Sequence, residues 1–285
     1  MVLRLISYVG DYRKQSKKPV IPGFVRERSD RRVSGIHAST AAPVKPRQDQ
    51  SEEQKIAVTA LPFRRTPCYG AGPMSTFTIL LGGELKRTSR LARQIADSRI
   101  IAADAGIGHA TALGVVPELW VGDFDSVPVD LPDALEAVPR MTFPAEKDKT
   151  DGELAVEAAF ARGATALVLA GAFGGPRADH AFLHMVLAMR LAEAGIDVTL
   201  TSGTQEGVPL RSGRARFDYE DGTLFSVLGF SDLTGLSLAG AKWPLDNVEV
   251  PFGSSLTISN EVRGGLEVAL GGGRAMLLAH PYPEG

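Results

Sequence analysis

The sequence predicts an α/β protein: an N-terminal α/β domain built on a parallel sheet, followed by a small C-terminal all-β sandwich. Three observations carry that prediction. Between residues 76 and 202, apolar runs of strand length alternate with segments of helical period, the order of a parallel sheet covered by helices. Beyond Ser202 the apolar runs shorten and are parted by Asp221-Gly222, Gly229, Gly240, Gly253, Gly264-Gly265 and Gly271-Gly272-Gly273, the cadence of antiparallel strands. Before Met74 neither period is sustained. The expected organisation is an extension over 1–73, an α/β domain over 74–205 and a sandwich over 206–285.

Charge divides where the pattern does. The 285 residues carry a net −2, but residues 1–73 hold 14 Lys+Arg against 6 Asp+Glu, leaving 17 against 27 for the rest. The first part, with stretches such as Arg26-Glu27-Arg28-Ser29-Asp30-Arg31-Arg32, is expected to be disordered. Its acidic residues argue against a transit peptide, and it lacks the apolar core of a secretory signal. The expected natural beginning is Met74, where a strand opens directly.

Strands are expected over 76–82, 99–104, 118–123, 140–144, 166–171 and 197–202. Helices are expected over 89–98, 107–113, 150–162 and 179–194, the last two ending before Gly163 and Gly195. The sandwich strands are expected at 214–217, 223–228, 233–238, 255–258, 266–270 and 275–279. At about 80 residues the sandwich can bury only a modest core alone, so it is expected to pack on the first domain or on a second subunit.

Composition narrows the function classes. With 44% hydrophobic and 22% charged residues, usage is that of a soluble protein. No run approaches the roughly 18 apolar residues of a membrane helix, and the single cysteine, Cys68, can form neither an internal disulfide nor a thiolate cluster. A cytoplasmic location without a membrane partner is expected. The acidic body opposes the phosphate contacts of nucleic-acid binding, so no such partner is expected for it.

The chemistry is expected where strands end. Asp104 follows Ile100-Ile101-Ala102-Ala103, and Asp123 and Asp125 follow Leu119-Trp120-Val121-Gly122, so both sets fall at strand C-termini, where open parallel sheets bind ligands. Lys147-Asp148-Lys149-Thr150-Asp151 precedes a long helix, which puts Thr150 or Asp151 at an N-terminus that favours anions. In an extended segment Asp123 and Asp125 point the same way, and carboxylates 5 Å apart repel by roughly 3 kcal/mol at an effective dielectric near 20. A divalent cation relieves that repulsion, and hard oxygen ligands suit Mg²⁺ bridging to phosphate. Singly, each of these residues also has an ordinary role as turn, cap or solvated charge; the conjunction points to a site.

A further cluster, Gly171-Ala172-Phe173-Gly174-Gly175-Pro176-Arg177-Ala178-Asp179-His180, suits a phosphate cradle. Its glycines permit close approach, Arg177 offers a bidentate fork, and Asp179 can cap the helix or orient His180. His180 and His184 have i, i+4 spacing but lack the companions of a zinc site, and His184 reads as a satisfied helix histidine. No Walker loop, GxGxxG fingerprint or GxSxG elbow is present.

Taken together, Ala103-Asp104-Ala105-Gly106, Val121-Gly122-Asp123-Phe124-Asp125-Ser126, Phe143-Pro144-Ala145-Glu146-Lys147-Asp148-Lys149-Thr150-Asp151, the glycine stretch ending at His180, and Ser259-Asn260-Glu261 resemble the thiamine pyrophosphokinase (thiamine diphosphokinase) family from Met74 nearly to the C-terminus. The resemblance implies a homodimer with shared active sites, and transfer of pyrophosphate from Mg-ATP to the hydroxyl of thiamine. It implies Asp104, Asp123, Asp125 and Asp151 as the acidic catalytic site, the last three as metal ligands. It places Lys147, Lys149, Thr150 and Arg177 on the polyphosphate, with Asp179 and His180 beside them, and Ser259 and Asn260 on thiamine. Trp243, within Lys242-Trp243-Pro244-Leu245, resembles the family's aromatic segment; an indole face suits a cationic thiazolium, whereas the commoner fate of a tryptophan between strands is the core. Two departures stand out: Ala105 replaces the usual glycine of the first motif, and Pro176 is an extra residue in the glycine turn. Two rival functions are a pyrophosphokinase acting on another alcohol such as a pterin, for which Trp243, Ser259 and Asn260 would be unnecessary, and a non-catalytic thiamine or nucleotide sensor, which would not need the four aspartates.

Overall fold

The structure is a computed structural model that describes residues 75–124, 130–144, 146 and 148–281, all within one unit of the chain, 60–285. Its first half alternates as the pattern of apolar runs leads one to expect: β1 (Thr76–Leu80), α1 (Ser89–Ile95), β2 (Arg99–Ala103), α2 (His109–Leu113), β3 (Leu119–Gly122), α3 (Asp133–Glu136), β4 (Arg140–Thr142), α4 (Asp151–Ala161), β5 (Ala166–Ala170), α5 (Ala178–Glu193) and β6 (Asp197–Thr201). A 3₁₀ segment, Asp104–Gly108, leads from β2 into α2. The sequence reading omits α3, since four residues are too few to display a period.

β1 to β6 form a parallel sheet in the order β6-β5-β1-β2-β3-β4. Successive side chains of a strand point to opposite faces. Phe77, Ile79, Ile101 and Leu169 therefore enter one core with Leu154 of α4 and Leu187 of α5, while Leu80, Ala102, Trp120 and Ala170 enter another with Leu91 of α1, Ala110 of α2 and Leu135 of α3. Burial on both faces is why β2, β3 and β5 read as apolar runs, whereas β4 at the sheet edge keeps Arg140 and Thr142 exposed.

The second half comprises β7 (Glu206–Leu210), β8 (Gly213–Phe217), β9 (Leu224–Gly229), β10 (Leu233–Ala241), β11 (Leu245–Val250), β12 (Asn260–Leu270) and β13 (Ala275–His280). β7 pairs antiparallel with β6, so the first sheet continues without a break through β7-β13-β9. A second layer, β11-β10-β12 with β8 on β12, packs against it. β12 joins both layers: Asn260 and Glu261 pair with β9, while Leu266–Leu270 pair with β8. Gly264 and Gly265, at φ 84° and 87°, supply the corner between them. Phe225, Val227 and Leu277 meet Leu236, Leu238 and Val268 between the layers.

Two sandwich expectations are corrected. Residues 255–258 form turns, not a strand, and Leu256 and Ile258 stand exposed there. β7 and β11 are strands that the pattern of apolar runs misses. β7 contains Gly207 and Pro209, and β11 contains Asp246, Asn247 and Glu249, residues poor in strand propensity that cross-strand pairing overrides. Among the described residues no helix is long and apolar enough to cross a membrane.

A polar clasp ties α1 to the sandwich. Arg90 of α1 donates to Glu206 of β7 and to Asp218, at 2.6 Å each; Gln94 and Tyr219 donate to the same Glu206 at 2.9 and 3.1 Å. Glu206 is buried. Burial works against the Arg90 charge, but hydrogen bonds to Asp218 and Glu206 outweigh it and raise its pKa.

Candidate active site

The strand order reverses beside β1: the chain leaves β1 for β2 on one side and returns through β5 on the other. The loops at the C-terminal ends of β1, β2 and β5 come together there, the place where open sheets hold ligands. A cleft of about 310 Å³ occupies this position. Leu81, Gly82 and Gly83 line it from β1, Ala103, Asp104 and Ala105 from β2, and Gly171, Ala172, Gly174, Gly175, Pro176 and Arg177 from β5. Thr150, Asp151 and Gly152 at the start of α4, with His180, Ala181 and His184 of α5, complete the lining.

Asp104 adopts a left-handed φ of 43° at the end of β2, a conformation that aspartate tolerates. Its carbonyl accepts the indole N–H of wholly buried Trp120 at 2.8 Å. Trp120 meets Phe124 edge-on, with centroids 4.9 Å apart, and the Arg140 guanidinium lies 4.7 Å over Trp120 and 5.3 Å over Phe124. Phe124 is also left-handed, at φ 62°, a strained setting for a bulky residue next to Asp123. Trp120→Phe is expected to cost about 1–3 kcal/mol by removing the buried hydrogen bond to the Asp104 carbonyl. The denaturant midpoint of the purified variant measures that loss.

Thr150 caps α4 reciprocally with Glu153: the threonine hydroxyl accepts the Glu153 N–H, and the Glu153 carboxylate accepts the Thr150 N–H, each at 3.2 Å. This fixes Asp151 on the first turn, facing the cleft, beside amides and a dipole that favour anions. Lys149 is paired with Glu157 at 2.7 Å. The cleft lining does not include Asp123, Lys149, Asp179, Trp243, Ser259 or Asn260. Asp125 and Lys147 lie outside the described residues.

The loops after β1 and β5 are zipped together. Gly83 N–H donates to Gly171 O at 3.0 Å, Glu84 N–H to Phe173 O at 2.8 Å, and Gly175 N–H to the Glu84 carboxylate at 3.3 Å. Gly174 is left-handed at φ 66°, and a Cβ there would collide with the Glu84 side chain. Arg177 turns its fork back on Asp179, at 3.0 and 2.7 Å, and that hydrogen bond holds the Asp179 carboxyl well below the usual range. Both side chains are exposed, so the pair opens at little cost.

His184 donates from Nδ1 to Ala172 O at 3.1 Å, so the sequence reading of a satisfied helix histidine holds, although the ring also lines the cleft. Burial pushes its pKa below the ordinary 6.5; nearby His180 adds to the shift, while the Ala172 bond and Glu153 oppose it. The unfolded chain then binds more protons than the folded one between the lowered value and 6.5, so stability falls as pH drops through that window. The melting temperature is expected to fall with acid below pH 6.5, less steeply in His184→Asn.

On the sandwich, Trp243 is 56% exposed rather than in the core. The buried Asn260 amide holds its backbone from both sides, accepting from Trp243 N–H at 3.1 Å and donating to Trp243 O at 2.8 Å. Lys242 Nζ lies 4.8 Å over the indole. Ser259 is left-handed at φ 61° and donates its N–H to Ser226 Oγ at 3.0 Å. Leu224, Phe252, Leu256 and Ile258 are exposed as well.

Sequence reasoning missed the Gly82-Gly83 wall and the Trp120–Phe124–Arg140 support. The first was visible as a glycine pair ending the first strand; the second depends on parallel pairing of β3 with β4, which brings Arg140 beside Trp120.

Residues 93–200 match the thiamin pyrophosphokinase catalytic domain, and residues 215–270 match the thiamin pyrophosphokinase vitamin B1 binding domain. The thiamine pyrophosphokinase of Bacillus subtilis (strain 168) is 30% identical over 194 residues, covering 66% of this chain and 90% of that protein. The crystal structure of a thiamine pyrophosphokinase from Bacillus subtilis aligns with TM-score 0.64 and 25% identity over 72% of this chain and 99% of that one. That of Geobacillus thermodenitrificans aligns with TM-score 0.61 and 26% identity over 73% and 99%. With both domain models matched in chain order and a relative matched over nearly its whole length, the chain belongs to the thiamin pyrophosphokinase family of enzymes.

Proposed function

We propose that this chain transfers the pyrophosphoryl group of Mg-ATP to the hydroxyl of thiamine, giving thiamine diphosphate and AMP. The observation that carries the reading is the cleft beside β1, which Asp104 and Asp151 line together with a glycine loop ending in Arg177. The thiamine hydroxyl oxygen bonds to the β-phosphorus, the bond from that phosphorus to the α–β bridging oxygen breaks, AMP departs with that oxygen, and the hydroxyl proton is released.

Such a transfer leaves little covalent work for side chains; positioning and charge neutralisation dominate. The acidic set offers carboxylates alone, a donor chemistry that fits a hard divalent cation. Among the described residues no three such groups gather in one place, and Asp125 lies outside them. Asp123, Asp125 and Asp151 would hold Mg²⁺, which when bound neutralises polyphosphate oxygens. Asp104 completes the acidic wall. Thr150 and the start of α4 receive phosphate oxygens, and Lys147 and Lys149 supply cations for the polyphosphate; Lys149 leaves Glu157 to do so. Arg177 releases Asp179 and turns its fork to the polyphosphate, near His180.

Residues 74–205 form the catalytic part in this reading, and 206–285 the thiamine-binding part. Trp243 stacks on the thiazolium, Asn260 acts by holding the Trp243 backbone, and Ser259 shapes the adjoining turn. Because Trp243 does not line its own chain's cleft and lies exposed on the sandwich, it serves the cleft of a second copy in a homodimer in this reading. Trp243→Ala is expected to raise the thiamine KM by an amount worth about 1–3 kcal/mol, with little change in the ATP KM. Mixing Trp243→Ala chains with Asp151→Asn chains, assayed at a thiamine concentration far below the raised KM where each alone is nearly inactive, should partly restore activity, because one of the two sites is then intact. Mixed dimers, verified by mass, that remain inactive would contradict the shared site.

A further inference from the structure

The proposed reaction gives His184 no task, although the ring is buried and lines the cleft. A carbonyl only accepts, so the bond to Ala172 O puts the hydrogen on Nδ1 and leaves a lone pair on Nε2. Nε2 faces the start of α4: a Cβ built on Gly152 would stand 3.6 Å from it. The ring therefore spans two walls, from the glycine loop that leads to Arg177 across to the turn that presents Thr150 and Asp151. Its support is firm, since α5 runs for 16 residues and buries Leu187, Ala188 and Leu191 below it. His180 meets the ring edge-on, with centroids 6.4 Å apart, and Glu153 is the carboxylate whose charge reaches it.

We propose that His184 is a positioning residue for the nucleotide: its ring sets the gap between the glycine loop and the start of α4, and so the span across which a nucleoside triphosphate with its divalent cation is gripped. The inference rests on the ATP-dependent reaction proposed above. Burial disfavours the charged ring, so His184 acts through shape and its Ala172 bond, and not as a cation on phosphate.

Two variants each keep one anchor. His184→Asn retains a donor for the Ala172 carbonyl but withdraws from Gly152, whereas His184→Gln keeps the reach toward Gly152. Each is expected to weaken calorimetric binding of a non-hydrolysable Mg-ATP analogue, and to raise the ATP KM, by about tenfold, with the thiamine KM unchanged. Either variant suffices if the other fails to fold. Wild-type affinity for the analogue in a folded variant, or a thiamine KM that rises in step with the ATP KM, overturns the inference. A wild-type chain that binds no Mg-nucleotide removes the proposed reaction and the inference together, so the two failures are distinguishable.

Discussion

Asp104→Asn and Asp151→Asn are each expected to lower turnover at least about a hundredfold while leaving the fold intact. Both residues line the cleft, one after β2 and one on the first turn of α4. The substitution is clean at Asp104 because asparagine also tolerates the left-handed φ of 43° found there. At Asp151 the Thr150–Glu153 capping box persists without the charge, so the helix start survives. Steady-state turnover at saturating Mg-ATP and thiamine, beside an unchanged far-ultraviolet circular dichroism spectrum, checks this. Near-wild-type turnover in both variants would contradict the acidic site.

The largest stability effect is expected at the clasp between α1 and the sandwich. Arg90→Ala leaves the Glu206 carboxylate, with 3% side-chain exposure, without its cation. Removing one partner of such a pair costs about 3–5 kcal/mol, because the other charge stays buried. Asp218, with 83% of its side chain exposed, contributes little to that loss. For a folded unit of this size the melting temperature should fall by roughly 6–20 °C. Arg90→Met combined with Glu206→Gln removes both charges, keeps an acceptor for Gln94 and Tyr219, and is expected to recover part of the loss. A single variant as stable as the wild type would show that the pair contributes nothing net.

The parallel half of the fold was legible because β2, β3 and β5, buried on both faces, carry nearly uninterrupted apolar runs; all six expected strands there, the exposed β4 included, form within a few residues of the expected bounds. The sandwich was less legible. Half-exposed strands such as β11, with Asp246 and Asn247 at its start, carry no strong period, and Leu256 and Ile258 imitate a strand while lying in turns. The site was legible at strand ends and at the cap, since Asp104, Thr150, Asp151 and Arg177 all reach one cleft from motifs far apart in sequence. Local sequence could not show the bracing of Asp104 by Trp120 or the double hold of Asn260 on Trp243. Each depends on where the fold brings side chains together.

Phosphorus NMR of the purified chain with ATP, magnesium and thiamine reads out transfer of a pyrophosphoryl group. The ATP resonances are expected to give way to those of AMP and thiamine diphosphate in equal amounts, with no ADP. Unchanged ATP, or ADP formed together with thiamine monophosphate, would contradict that transfer.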